Sequence, residues 1–191
     1  MINSLGAAGS TTGTDLQGIN GNLSGYYALG SNIDATATSS WNSGAGFTPI
    51  GNPATAFTGS FNGLGHTISN LTINLPSTNY VGLFGNTGTG SVIQNIGLVG
   101  GSVSGSEYVG GLVGYNGGTV TNSYATGSVS GSEYVGGLVG GNDDGTVTNS
   151  YATGSVNGAS GSTFVGGLVG LNEGSVSNSY ATGSVSGARC V

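Results

Sequence analysis

Two carboxylates stand where the acid and the nucleophile of a sugar-cleaving enzyme would. Glu107 and Glu133 each precede the same string, Tyr-Val-Gly-Gly-Leu-Val-Gly, at 108–114 and 134–140. If those strings lie on neighbouring strands, the carboxyl groups stack about 5 Å apart, which is also the separation used by retaining glycosidases. A third copy of the string, headed by Phe164, has Thr163 in the same slot. Glutamates duplicated with a repeat and left in solvent give this spacing without any chemistry, and that plainer reading is preferred. Asp143 and Asp144 offer oxygen ligands in a turn, a weak calcium contact at most, because two adjacent carboxylates are too few to enclose the ion. His66 has no second His or Cys at metal-binding spacing, and one histidine without a Gly-x-Ser-x-Gly string supports no Ser-His-Asp constellation. We therefore expect no catalytic residues and no cofactor.

Tyrosines are the stronger candidates for recognition. Tyr124, Tyr151 and Tyr180 recur at one slot of a second block, Asn-Ser-Tyr-Ala-Thr-Gly-Ser-Val, at 122–129, 149–156 and 178–185. If the alternate residues face inward, these rings form an exposed stripe able to stack on sugars or on a protein partner. The opposite parity makes them a core stack, and in either case stacking along neighbouring strands stabilises the coil itself.

Composition removes several classes of partner. Of 191 residues, 42 are Gly, seven are Asp or Glu and one is Lys or Arg, for a formal net charge of −6. A chain with a single cation cannot neutralise a row of phosphates, so nucleic-acid binding is excluded, as is attachment to an anionic bilayer surface. No apolar run is long enough to span a membrane, and the N-terminus lacks the basic start and apolar core of a signal peptide; targeting, if any, lies elsewhere. Leu, Ile, Val and Phe make up 43 of the 191 residues, more than a disordered Gly-rich chain carries, and the charge is low. Cys190, next to the C-terminus, has no partner within the chain and is read as a tail residue, with intermolecular pairing the alternative. Arg189 is the single trypsin-type cleavage site.

The elements that must position the tyrosines and carboxylates follow from the repeats. The Tyr-Val-Gly strings, counting the shorter one at 80–85, are 28, 26 and 30 residues apart, and the Asn-Ser-Tyr blocks 27 and 29. Two interleaved series with one period mean one repeated structural unit. Short apolar runs rich in Val, Thr and Tyr, separated by Gly, Asn and Ser, predict brief strands with frequent corners. A unit of about 27 residues built from three such strands is one coil of a right-handed parallel β-solenoid, and the length accommodates about seven coils. Residues 1–56 are read as irregular coils with a cap near Trp41, Phe47, Pro49 and Pro53, and residues 57–191 as the regular solenoid, continuous with them. The stretch 157–163, longer than its counterparts, is an insertion at one corner. Ile68 and Ile73 cannot share a face of one uninterrupted strand, so the chain turns near Asn70, a residue type that tolerates left-handed backbone. The same pattern places Asn95, Asn122, Asn149 and Asn178 in that slot, a predicted asparagine ladder over five coils. Asn86, Asn116, Asn142 and Asn172 are a second candidate ladder.

The strings Tyr-Val-Gly-Gly-Leu-Val-Gly, Asn-x-Gly and Val-x-Asn-Ser-Tyr-Ala-Thr-Gly-Ser-Val resemble the GLUG motif of large bacterial surface proteins, including filamentous-haemagglutinin-like adhesins and some secreted proteases. Segments upstream, at 15–20, 27–35 and 57–73, are similar to those preceding GLUG arrays. The resemblance implies a β-helical scaffold from an extracellular or cell-surface protein. It carries no activity with it, because such arrays occur beside different functional modules.

These readings converge on a rigid structural and adhesive segment that would meet a glycan or a protein on a target surface, with no nucleic-acid partner and no membrane insertion. A carbohydrate-active β-helix enzyme or glycan-binding module is the alternative. An ice-binding face would need unbroken Thr ranks, and Thr146 and Thr148 give way to Ser175 and Ser177. The C-terminus stops in mid-pattern, so either the array continues or the units associate end to end.

Overall fold

Left-handed corners, more than strand propensity, set the shape of each coil. In the computed structural model, which describes residues 1–187, the chain at 107–131 forms five short strands: Glu107–Gly110, Val113–Asn116, Thr119–Thr121, Tyr124–Ala125 and Ser128–Gly131. This is five strands per coil where three were expected. Tyr108 and Asn122 both have positive φ, 55° and 48°, so the chain bends at an aromatic residue as well as at the asparagine. By residue type alone, a Tyr gives no sign of a corner.

Each strand pairs in parallel with its counterpart one coil away. Val109 lies opposite Val135, Val113 opposite Val139, Val120 opposite Val147, Ala125 opposite Ala152 and Val129 opposite Val156. All ten of these side chains are buried, so one inward residue per face fills the interior, with Leu112 and Leu138 from the bends between the first two faces. The five resulting sheets contain six, six, five, four and three strands. The regular part of the solenoid has about four turns of about 29 residues, and the two faces that reach furthest toward the N-terminus extend to six strands, short of the seven coils inferred from length. The difference lies toward the N-terminus, where residues are spent on a 3-10 segment, Thr36–Gly44, broken at Trp41 to Ser43, and on long connections.

The N-terminal rungs follow the same plan with larger fillings. Tyr26–Ala28 pairs with Ser60–Asn62, and Ile33–Asp34 with Thr67–Ser69. Phe57 and Phe61 contact Phe84, with ring centroids 5.0 and 5.4 Å apart, doing there what valines do in later coils. The segment holding Trp41, Phe47 and Pro49 runs alongside its neighbours: Phe47 N–H donates to the Thr72 carbonyl and Ile50 N–H to that of Leu83. Cys190 and Arg189 lie outside the described residues.

Candidate functional site

The outer surface carries two aromatic stacks. Tyr124, Tyr151 and Tyr180 stand in register, with ring centroids 4.8 and 5.2 Å apart and planes within 4° of parallel. The adjacent Ala125 and Ala152 point into the core, while Tyr124 and Tyr151 are half-buried and Tyr180 exposed. The rings therefore project outward, but the faces of Tyr151 are covered by its neighbours and edges meet the solvent.

A second stack was not anticipated as a set. Tyr80, Tyr108, Tyr134 and Phe164 follow one another at 4.9, 4.5 and 5.2 Å. All four have φ between 52° and 62°, a conformation costly for bulky residues. The turn directs each ring along the rod axis onto the next, and stacking offsets part of the cost, about 0.5–1.5 kcal/mol per pair. The signal was present in the sequence, since these residues head the Tyr-Val-Gly strings.

Tyr115 meets Tyr80 and Tyr108 edge-on and donates its hydroxyl hydrogen to the Asp143 carboxylate. That bond, followed by desolvation and the neighbouring negative charge, pushes the Tyr115 phenol well above its ordinary range. Desolvation is the leading cause of the upward shifts of Tyr108, Tyr134 and Tyr151. Because folding favours the neutral phenols, their contribution is complete below pH 10, the ordinary tyrosine value, and is lost as pH rises above it. Melting temperature is expected to change little from pH 7 to 9 and to fall steeply by pH 11; a flat profile to pH 11 would contradict the assignment.

Glu107 and Glu133 are register partners, as the repeat predicted, and each is engaged by a different neighbour. The Glu107 carboxylate accepts from Asn79 Nδ2 at 3.1 Å, and that of Glu133 from the Thr163 hydroxyl at 2.8 Å. The slot thus reads Asn79, Glu107, Glu133, Thr163, a mixed polar row along the coils. Asp143 is engaged by Tyr115, and Asp144 occupies an exposed left-handed turn position. Among the described residues no group of three or more His, Cys, Asp or Glu side chains comes together at a metal-binding distance. His66 Nδ1 lies 3.2 Å from Asn32 Oδ1 on the exterior.

The asparagines divide into two roles. Asn95, Asn122, Asn149 and Asn178 share one corner, with φ of 48–55°, and Asn122, Asn149 and Asn178 are exposed. Asn70 does not belong with them. Ile68 pairs with Leu98, and Phe61 is the residue opposite Ile93, so Asn70 sits one corner further on, level with Gly100. Both corners have an inward residue two positions before the turning Asn, so the pattern fits either. The hydrogen-bonded ladder lies in the other set: Asn116 Nδ2 donates to Asn142 Oδ1 at 2.8 Å, and Asn142 Nδ2 to Asn172 Oδ1 at 2.7 Å. Its first rung is Thr87, whose hydroxyl donates to Asn116 Oδ1 at 2.9 Å, while Asn86 pairs with Tyr115. Asn116 and Asn142 are buried, where a full set of partners is obligatory.

Continuous sheets, internal amide ladder and external aromatic stacks define a parallel β-solenoid repeat protein. Residues 105–130, 131–157 and 161–186 each match the family described as the GLUG motif. A 118-residue stretch, 59% of this chain, is 46% identical to halomucin of Haloquadratum walsbyi, covering 1% of that protein. A protein of Evansella cellulosilytica provisionally named a Gly-rich membrane protein is 38% identical over 100 residues, 51% of this chain and 12% of its own length. The chain thus spans a small fraction of these curated relatives. The crystal structure of a Bacteroides ovatus protein provisionally assigned as an immunoglobulin A1 protease superposes with a TM-score of 0.67 over 98% of this chain and 66% of that one, at 22% identity; this shared architecture concerns the fold alone. No helix among the described residues is long and apolar enough to cross a membrane.

Proposed function

We propose that this chain is a structural segment of a prokaryotic cell-surface or secreted protein, a stiff spacer that also contributes to attachment, acting without catalysis. The observation that carries the reading is the unbroken coil-to-coil continuity: backbone ladders on five faces, an amide ladder inside and stacked rings outside all run along one axis. Such a lattice resists local opening, because each coil is held by both neighbours. The carboxylates most suited to chemistry, Glu107 and Glu133, are each held by a neutral partner, which favours a structural role for them. The names of the relatives, halomucin and a membrane protein, support placement at the cell surface.

Antibodies raised against the purified chain are expected to label intact cells that carry the parent protein. Labelling seen only after permeabilisation would overturn the placement. For attachment, the chain is expected to retain on a glycan and matrix-protein surface in a manner lost on changing Tyr124, Tyr151 and Tyr180 together to Ala; retention unaffected by the triple change would remove that stripe from the adhesive role.

A further inference from the structure

A groove of about 580 Å³ lies beside the N-terminal rungs, where the segments around 10, 50 and 78 meet. That volume is in the range of small-molecule sites. Its wall is built with care: Gln17, buried, donates from Nε2 to the Thr48 carbonyl at 3.1 Å and accepts from Thr48 N–H at 3.0 Å. Asn20 grips the same wall through the Pro49 carbonyl, at 3.2 Å, and Gly51 N–H, at 3.1 Å. Asn52 Oδ1 accepts from the N–H groups of Ala54 and Thr55, at 2.9 and 3.0 Å, which fixes its amide and leaves Nδ2 free of protein partners among the described residues. The lining contains no Asp, Glu, His, Lys or Arg.

We propose that this groove binds a neutral oligosaccharide, with one sugar ring on Tyr80. A charged ligand would find no counter-charge in this lining, whereas Asn52 Nδ2 and the hydroxyls of Thr11, Thr55 and Thr78, which line the groove, match a polyhydroxylated one. Leu75, Pro49 and Tyr80 supply the apolar surfaces that the C–H faces of sugars require. Tyr80 is one of the two end rings of its stack, and the one at the groove. Tyr108 and Tyr134 are each sandwiched between two rings, while Tyr80, the first, stacks on Tyr108 alone and lines the groove. The site stands apart from the surface-spacer reading, and neither result decides the other.

The test uses the full chain and saturation-transfer NMR with titration calorimetry. Maltotetraose, cellotetraose, mannotetraose and chitotetraose form the neutral arm, tetragalacturonate the charged arm and a Gly-Pro-rich decapeptide the peptide arm. At least one neutral sugar is expected to bind, weakened about ten-fold or more by Tyr80→Ala and little changed by Tyr80→Phe. Since Tyr80→Ala also removes a stacking partner, Thr78→Trp serves as a second variant: it fills the groove from an exposed position and is expected to abolish binding. Tyr134→Ala, in the middle of the stack and outside the groove, is expected to leave binding intact. Failure of all four neutral sugars at millimolar concentration, tighter binding of tetragalacturonate or the decapeptide, or binding indifferent to Tyr80→Ala and Thr78→Trp would each overturn the proposal.

Discussion

Changing Gly136 to Ala is expected to lower the unfolding free energy by about 3 kcal/mol or more. A β-carbon at this position would lie 1.9 Å from the Val139 carbonyl oxygen, 2.8 Å from Gly170 N and 2.9 Å from the Leu168 carbonyl oxygen. All three are backbone atoms, so no side chain can rotate aside, and two belong to the next coil. Relief requires both opening the bend to Val139 within the coil and prising that coil from the next. Gly110 and Gly166 occupy the same slot, with the corresponding distance 2.1 and 2.0 Å, so a local shift is resisted by identical constraints on either side. Gly161→Ala is the control. That glycine has φ of 88° with nothing within 4 Å of an added β-carbon, so only the left-handed backbone is penalised, by about 1–2 kcal/mol. Urea denaturation of both variants decides the matter: if Gly136→Ala is no more destabilising than Gly161→Ala, close backbone approach is not the constraint on the Gly-Gly pairs.

Removing the amide of Asn142 is expected to cost about 3 kcal/mol, the second large effect. The side chain is 1% exposed. It accepts from Asn116 at 2.8 Å and donates to Asn172 at 2.7 Å and to the Gly145 carbonyl at 3.2 Å. Asn142→Ala strands these groups, and unsatisfied buried polar groups cost about 1–3 kcal/mol each. Asn149→Ala should cost no more than about 1–2 kcal/mol, because Asn149 is exposed and serves the backbone, at φ of 49°. Asn149→Gly should be close to neutral, since glycine takes that φ freely, whereas Asn142→Gly should be as damaging as Asn142→Ala or more so. Equal sensitivity of the two positions in a thermal or urea melt would refute the division of labour between them.

The contrast between these asparagines marks what the sequence could disclose. The period was legible because Val109, Val135 and Val165, or Tyr124, Tyr151 and Tyr180, are repeated almost verbatim, and stacking in register is what verbatim repetition demands. The number of corners was not, because Tyr108 turns the chain in the left-handed region as Asn122 does, and nothing in an aromatic residue announces it. The corner that Asn70 occupies is not legible, because an inward residue two positions before a turning Asn fits more than one corner of the coil. Thr87 does not show in the sequence as the first rung of the buried ladder because its chemistry, a hydroxyl in place of an amide, breaks the verbal pattern while preserving the hydrogen bond. The groove beside Tyr80 had no signal at all: its walls come from the least repetitive part of the chain, joined only by folding.

In-register pairing of like with like also bears on inheritance. Excision of residues 105–130 would bring Glu133 beside Asn79, Val139 beside Phe84 and Asn142 beside Thr87. Asn79, Phe84 and Thr87 already face Glu107, Val113 and Asn116, so the splice would recreate existing contacts. Unequal recombination between the repeated stretches of the gene would therefore lengthen or shorten the rod one coil at a time while keeping these pairings in register.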